Sequence, residues 1–522
     1  MYYLMGIDIG TTKLSVCISD LNHKKVSFAS NNLETIFSTN ESHPSWAFWL
    51  PDNLWETVKE TVKEALYQID SADNVRAVAV SGIGYDGLPI DKSGNPLYPI
   101  ISWHCTRAER QARDFQKSFG RKEIFDITGL QGMACQSIYK MMWLKDIFPE
   151  IYEHTYKWLL VEDYINFKLC DAFVTDKTMA CSTSLFDLDT QSWSKELIEL
   201  SGLREDILVD VQDSGTVIGN VSEKASEETG LSCKTLVVLG GHDYMCSALA
   251  ANSYKQGSVL DIVGTWEMVV AGIFDPQRSL NIYNGGFHIS NQVVKNSFVV
   301  VGETVSTSMI HWYKNVIVYR TGLDLEKDNT NIWENLCLYA AKSHPIPNGV
   351  FFLPHCSGAT APMPDSRSMG AFIGLNDAVE TKDFVRALVE GLNFQFYDML
   401  ESLSKVMNTT LSKIVCVGED ADNPFLMQNK ADVTGKQIEV LGIRSSAVTG
   451  ASMLAGIGAG FYKNYEEAAN DKSNDRRIYE PNLKNMAIYE DGFQLYKKIY
   501  KSLKEINWEI FDKFKNVDFD IL

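Results

Sequence analysis

Asp8, Gly10, Thr11 and Thr12 stand in the run Asp8-Ile9-Gly10-Thr11-Thr12, directly after an apolar stretch. A carboxylate at the end of a first strand can hold Mg²⁺ through water. A Gly-Thr-Thr turn offers backbone N–H groups and hydroxyls to phosphate oxygens, as phosphoryl transfer requires. Lys13 follows directly and is grouped with this phosphate-facing set. The alternative is a plain hairpin turn. A second carboxylate, Asp243, closes the run Gly240-Gly241-His242-Asp243. After a strand and a Gly-Gly turn, such a group can take the proton from a hydroxyl attacking phosphorus; the alternative is a helix N-cap, where Asp is favoured. In the run Ile101 to Arg110, Trp103 and Arg107 could stack on and hydrogen-bond a polyol, or could be a core Trp and a solvated Arg.

The elements that would carry these residues follow an α/β scheme. Gly6 to Thr12 followed by Leu14 to Ile18, and Leu260 to Thr265 followed by Met268 to Ala271, each read as strand, tight Gly-Thr turn, strand. Their similarity half a chain apart suggests two domains of like design. Val75 to Val80 reads as a buried strand ending in a glycine-rich loop that contains Asp86. Thr235 to Leu239 is a strand ending in Gly-Gly-His-Asp, and Ile414 to Val417 a strand leading into Gly418-Glu419-Asp420, with a helix beginning near Pro424. Val385 to Met407 has helical periodicity, and Thr449 to Gly460 is a small-residue helix suited to close packing. Tyr465 to Asn482 reads as surface loop or short helices before a final helix. The division is expected at residues 1–234 and 235–522.

The chain has 522 residues, 45% hydrophobic and 22% charged, with a formal net charge of -19. That length supports two buried cores. The acidic balance argues against nucleic acid and against anionic membranes, but leaves room for a local backbone phosphate cradle. The start MYYLMGIDIGTTKLSV does not read as a signal peptide, and no apolar run approaches twenty residues, so a cytoplasmic location is expected. The ten cysteines include no Cys-x-x-Cys pair and read as reduced, mostly core thiols; structural zinc is not expected.

The order of these signals resembles the FGGY family of carbohydrate kinases. DIGTT, GNPLYPIISW with Arg107, KMMWLKDIFPE, and DYINFKLCDAFVTD with SLFDLDTQSW resemble its amino-terminal domain. GGHD, GTW, FFLPHCSGATAP, RALVEG, NPFLMQNKADVTGK and TGASMLAGIGAG resemble its carboxy-terminal domain. The resemblance implies two actin-like (ribonuclease H-like) domains with an interdomain cleft, sugar on the first and MgATP on the second. It implies Asp8 at Mg²⁺, Gly10, Thr11 and Thr12 at the γ-phosphate, Asp243 as general base, and Gly264 and Thr265 as the second phosphate turn. Gly418, Glu419 and Asn423 would lie beside the nucleotide, and Asp86, Trp103, His104 and Arg107 beside the sugar. The implied partners are ATP, Mg²⁺ and a small sugar; whether the chain is a monomer or a homodimer stays open.

The departures are specific. The usual Trp-x-Asp-x-Arg reads Trp103-His104-Cys105-Thr106-Arg107, and Ser15 stands where a basic residue is common. Gly358-Ala359-Thr360 replaces a Gly-Glu-Arg. Trp266 follows the second phosphate turn, as in kinases of deoxyketohexoses. Glu419 and Asp420 replace small residues in the nucleotide loop, where carboxylates would lie near a polyanion. Two alternatives are a degenerate member that binds sugar with little or no phosphorylation, and an actin-like ATPase or chaperone. The latter does not account for the DYINFKLCDAF segment or for GGHD.

Overall fold

The computed structural model describes residues 1–39, 45–313, 332–442, 445–470 and 476–515. In the first half, β1 (Tyr3–Ile9), β2 (Lys13–Asp20), β3 (Lys25–Asn32), β4 (Val75–Gly82), β5 (Val217–Asn220) and β6 (Leu236–His242) form one sheet in the order β5-β6-β4-β1-β2-β3. β1, β2 and β3 are antiparallel neighbours, whereas β1, β4 and β6 run parallel. α1 (Asp243–Ala250) follows β6 without a loop. In the second half, β7 (Ser258–Val263), β8 (Trp266–Ile273), β9 (His288–Asn291), β10 (Phe298–Val305), β11 (Lys413–Val417), β12 (Ile438–Leu441) and β13 (Arg476–Tyr479) form a sheet ordered β9-β10-β8-β7-β11-β12-β13. Its pairing repeats the first: antiparallel β7, β8 and β10, parallel β7, β11 and β12, and an antiparallel edge at β13. The likeness of the two Gly-Thr hairpins is therefore a likeness of whole sheets.

β1, β4, β6, β7 and β11 are buried almost throughout, and their sequences are correspondingly apolar and β-branched, as parallel strands covered on both faces require. Helices α2 (Thr381–Val406), α3 (Pro424–Thr434) and α4 (Ser446–Gly458) complete the frame. α1 and α4 lie between the two sheets. One apolar cluster joins Leu4, Ala77, Ala79 and Val238 of the first sheet, Met245 and Leu249 of α1, Met453 and Leu454 of α4, and Leu260, Val270 and Val415 of the second. The small-residue composition of α4 is what allows this: a Cβ on Gly450 would stand 2.0 Å from the Cys246 carbonyl oxygen of α1.

The structure moves one expected boundary. β6 pairs along its length with β4 of the first sheet, so a division after residue 234 would remove a central strand from that sheet. The first unit runs through β6 into α1, and the change of sheet comes before β7. The stretch read as surface loop also supplies β13, paired with β12. All ten cysteines are free thiols, six of them buried. Among the described residues no helix is long and apolar enough to cross a membrane.

Candidate active site

Three adjacent parallel strands bring the first half of the site together at their carboxyl ends, where α/β sheets bind ligands. β1 ends with Asp8, β4 leads into Gly84-Tyr85-Asp86, and β6 ends at His242, with Asp243 opening α1. Asp8 lies across from Ser81 in the β1–β4 register, and Ser81 lies across from Gly241 in the β4–β6 register. The Asp8 carboxylate accepts a 2.7 Å hydrogen bond from the Ser81 hydroxyl. Burial, and then the nearby Asp243 carboxylate, push its pKa up to about 7, against the smaller opposing effect of Ser81. A carboxylate so placed favours a nearby cation. Among the described residues no group of three or more His, Cys, Asp or Glu side chains could hold a metal. This donor set fits Mg²⁺, which binds through one or two carboxylates and completes its shell with water and phosphate oxygens.

Asp243 is the first residue of α1, one position past the N-cap, which is His242, so the N-cap alternative does not describe it; its Oδ1 is held from two sides. The Tyr244 backbone N–H donates to it at 2.6 Å and His242 Nδ1 lies 2.8 Å away. Its side chain keeps 30% of its surface exposed.

Asp86 is fully buried, and its carboxylate makes no short side-chain hydrogen bond, with only the Trp103 backbone N–H and Lys140 beside it. Burial pushes its pKa up to about 7, with Lys140 the main opposing influence. Lys140 Nζ stands 3.7 Å from Asp86 Oδ1 while donating to the carbonyls of Tyr85 at 2.8 Å and Ile101 at 2.9 Å. A buried carboxylate so lightly partnered has acceptor capacity left for a ligand hydroxyl or water. Trp103 ties this end to the phosphate hairpin, its indole N–H donating to Thr11 Oγ1 at 3.1 Å. His104 is exposed and packs its ring against Trp103 at 3.9 Å between centroids.

Arg107 is not where the polyol reading put it. Its guanidinium is buried among Trp46, Tyr98 and Trp143, and it donates to Cys105 Sγ at 2.8 Å, Tyr98 Oη at 3.1 Å and the Ala47 carbonyl at 3.4 Å. Neither the core-Trp nor the solvated-Arg alternative anticipated this. Cys105 takes as its partner the Arg that follows two residues later, so the thiol in place of the usual carboxylate still anchors that side chain.

The second sheet supplies the facing half. Gly264 closes the β7–β8 hairpin through its N–H to the Trp266 carbonyl at 3.2 Å, just as Gly10 closes β1–β2 through Lys13 at 3.0 Å. Gly418, at φ 109°, leads into a short 3-10 turn, and Asn423 caps α3 by accepting from the N–H groups of Phe425 and Leu426. The two unexpected carboxylates are both engaged. Lys13 Nζ pairs with Glu419 Oε1 at 2.8 Å, a bridge from the first hairpin to the nucleotide loop. Asp420 Oδ2 accepts from the Thr307 hydroxyl at 2.7 Å, and that hydroxyl is also 3.0 Å from the Gly264 carbonyl oxygen. A cavity of about 790 Å³ borders Lys13, Ile262, Gly418 and Glu419.

Two residues were missed in the sequence. Glu303 in β10 lies near enough to Tyr85, Tyr244 and Cys135 to push their pKa values up, and burial raises its own. Lys430 of α3 is buried against Asp261 and Glu267, beneath the second phosphate turn. Lys430 lies within the NPFLMQNKADVTGK run, but nothing in that run showed its partners, which come from another strand pair; Glu303 sits in the strand FVVVGETV, one acidic residue among mostly apolar ones, the only signal it gave.

Sequence comparison agrees with this architecture. The description "FGGY family of carbohydrate kinases, N-terminal domain" matches residues 3–250, and that family's C-terminal domain matches residues 260–459. The chain belongs to the FGGY family of carbohydrate kinases, and it is accordingly a phosphotransferase with a sugar hydroxyl as acceptor, ATP as donor and Mg²⁺ as the usual ion. It is 28% identical to a xylulose kinase of Bacillus subtilis (strain 168) over 514 residues, covering 97% of this chain and 98% of the relative. Among solved structures it resembles a ligand-bound xylulose kinase from Lactobacillus acidophilus, with a TM-score of 0.86 and 23% identity over 97% of this chain and 99% of the other. A gluconate kinase from the same organism is equally similar, at TM-score 0.86 and 23% identity over 96% and 98%. The first match runs past β6, in keeping with the shifted boundary.

Proposed function

We propose that this kinase phosphorylates a neutral ketose or polyol, with Asp243 as general base and Asp86 as the carboxylate that orients the sugar. The Asp243 oxygen that carries no protein hydrogen bond takes the proton of the attacking hydroxyl. That hydroxyl oxygen forms the new bond to the γ-phosphorus as the bond to the β-phosphate bridge breaks and ADP departs. Asp8 would hold Mg²⁺, whose charge neutralises the phosphates. The Gly10–Thr12 and Gly264–Thr265 turns supply N–H and hydroxyl donors from the two sheets, and Gly418 and Asn423 flank the nucleotide.

One observation carries the choice of a neutral substrate: the proposed sugar end holds several carboxylates, and the cations nearby among the described residues are tied to protein groups. Asp86, Asp243 and Glu303 converge there, while Lys140 and Arg107 are engaged with protein groups. A sugar acid would add a negative charge to a low-dielectric pocket whose carboxyls burial already pushes toward the neutral form. The reading favours the substrate class named for the xylulose kinases over that named for the gluconate kinase. A turnover assay with MgATP across ketoses, polyols and aldonic acids tests it. Neutral sugars should lead by at least about tenfold in kcat/KM, and a preference for gluconate would overturn the substrate assignment. Asp243→Asn should lower kcat on the best sugar by roughly 10² to 10⁴, and wild-type turnover would sink the base.

A further inference from the structure

We infer that His242 is a positioning residue that holds the catalytic carboxylate through one fixed imidazole tautomer, with its proton on Nδ1. The inference rests on the reading of Asp243 as the base. His242 Nε2 accepts the Gly84 backbone N–H at 3.1 Å. A backbone N–H can only donate, so this nitrogen presents its lone pair, and the single proton of the neutral ring sits on Nδ1. Nδ1 is 2.8 Å from Asp243 Oδ1. The ring therefore donates to one carboxylate oxygen, which also receives the Tyr244 N–H. With Oδ1 saturated, the other oxygen remains to take the proton of the sugar hydroxyl.

The surroundings fix this arrangement from both ends. The His242 main chain is held by its N–H, which donates to Thr178 Oγ1 at 2.8 Å, and the Thr178 hydroxyl in turn donates to the buried Asp176. The ring is packed between Tyr244, at 3.9 Å between centroids, and Tyr85, at 6.0 Å. On the other side, position 84 must be glycine, because a Cβ there would lie 2.3 Å from His242 Nε2. The Gly84 N–H is aimed by an unusual loop in which Tyr85 takes a positive φ of 75°. That conformation persists because the Tyr85 N–H donates to Ser182 at 3.1 Å and its carbonyl accepts from Lys140 at 2.8 Å and Ser137 at 3.1 Å. Backbone strain of this kind needs such over-determination, and here it delivers one donor to one ring nitrogen.

Two substitutions separate this role from simple packing. His242→Leu fills the space without a donor, whereas His242→Asn places an amide N–H the same number of bonds from the backbone as Nδ1. His242→Leu should lower kcat about 10- to 100-fold, part of what general-base catalysis contributes, with KM for ATP within about twofold of wild type. His242→Asn should recover most of the lost kcat. Wild-type kcat in His242→Leu, or an Asn variant as slow as the Leu variant, would overturn the proposal. If Asp243→Asn, assayed in parallel, is slow while His242→Leu is not, only the positioning role fails. If Asp243→Asn turns over normally, the base assignment fails and takes this proposal with it. Should His242→Leu not fold, ¹⁵N spectra of the histidine-labelled wild-type enzyme decide independently, with the His242 signal assigned by its loss in His242→Asn. A protonated Nδ1 and a bare Nε2 at neutral pH are expected, and the opposite tautomer is incompatible with the lock.

Discussion

Asp8 and Asp86 are both held at about pKa 7 by burial. An ordinary carboxyl in the unfolded chain titrates near about 4. Between these values the folded protein binds protons that the unfolded chain has lost, so stability is greatest at the acid side of the window and falls as pH rises from about 4 to about 7. The ligand-free protein should therefore show a melting temperature that declines between pH 5 and 7.5. Asp8→Asn should reduce that decline, and MgATP should restore wild-type stability most at the upper end, because a cation favours the ionised carboxylate. Equal slopes for wild type and Asp8→Asn in a thermal scan would show that Asp8 titrates as it does in the unfolded chain. Asp86 makes a separate prediction. Its lightly partnered, buried carboxylate is suited to sugar hydroxyls, so Asp86→Asn should raise KM for sugar by at least about tenfold and leave KM for ATP within about twofold. Parallel increases in both would mean that Asp86 serves only its own loop and Lys140.

At the scale of elements, the parts legible in the sequence were those set by periodicity and turn chemistry: both Gly-Thr hairpins, the strands before Gly-Gly-His-Asp and Gly418, and the helices from Pro424 and across Thr449. What stayed hidden was pairing at a distance. β6 reads as the opening of a second domain because it follows a polar stretch, yet its register with β4 assigns it to the first sheet. The runs Asp8-Ile9-Gly10 and Asp261-Ile262-Val263-Gly264 look alike, but Asp261 pairs with Lys430 from a distant helix, whereas Asp8 accepts from the Ser81 hydroxyl and has no ion-pair partner among the described residues. Arg107 likewise looked available because its cage comes from Trp46, Tyr98 and Trp143, which are scattered along the chain. The nucleotide loop shows the same effect. Glu419 and Asp420 read as two anions facing phosphate, but one reaches Lys13 and the other is held by Thr307. Their effects should therefore differ. Glu419→Gly breaks an exposed pair whose contribution to stability is about 0–1 kcal/mol; it frees Lys13 and should lower KM for ATP. Asp420→Ala unties the loop from the Gly264 turn and should raise it. Nucleotide titrations and steady-state kinetics on the two single variants check this, and a shared direction of change would refute separate roles.

For the whole molecule, the decisive feature is that neither sheet holds a complete site. Asp8, Asp86 and Asp243 sit at or just beyond the strand ends of the first sheet, while Gly264, Gly418 and Glu303 come from the second. Phosphoryl transfer needs both sets around one phosphorus atom with water excluded. The sheets meet through α1 and α4, whose apolar faces form a continuous core with both. Such a seam permits small rotations of packed layers more readily than separation. Across the mouth, the ion pair between Lys13 and Glu419 is exposed on both sides, at 54% and 85% of side-chain surface, and so adds little resistance to motion. On the proposed reading, Glu303 of the second sheet would meet the sugar as the halves close, which would tie closure to a hydroxyl-bearing ligand. Small-angle scattering should accordingly show a smaller radius of gyration when the best sugar and a non-hydrolysable ATP analogue are both bound. Sugar alone should give part of that change, and Glu303→Ala should lose the sugar-dependent part while keeping the nucleotide-dependent part. A compact monomer of this length has a radius near about 24 Å, so the same curves also reveal whether two copies associate. Profiles that superimpose with and without saturating ligands would mean that the two halves are already in their working arrangement, and that the cleft operates without a hinge.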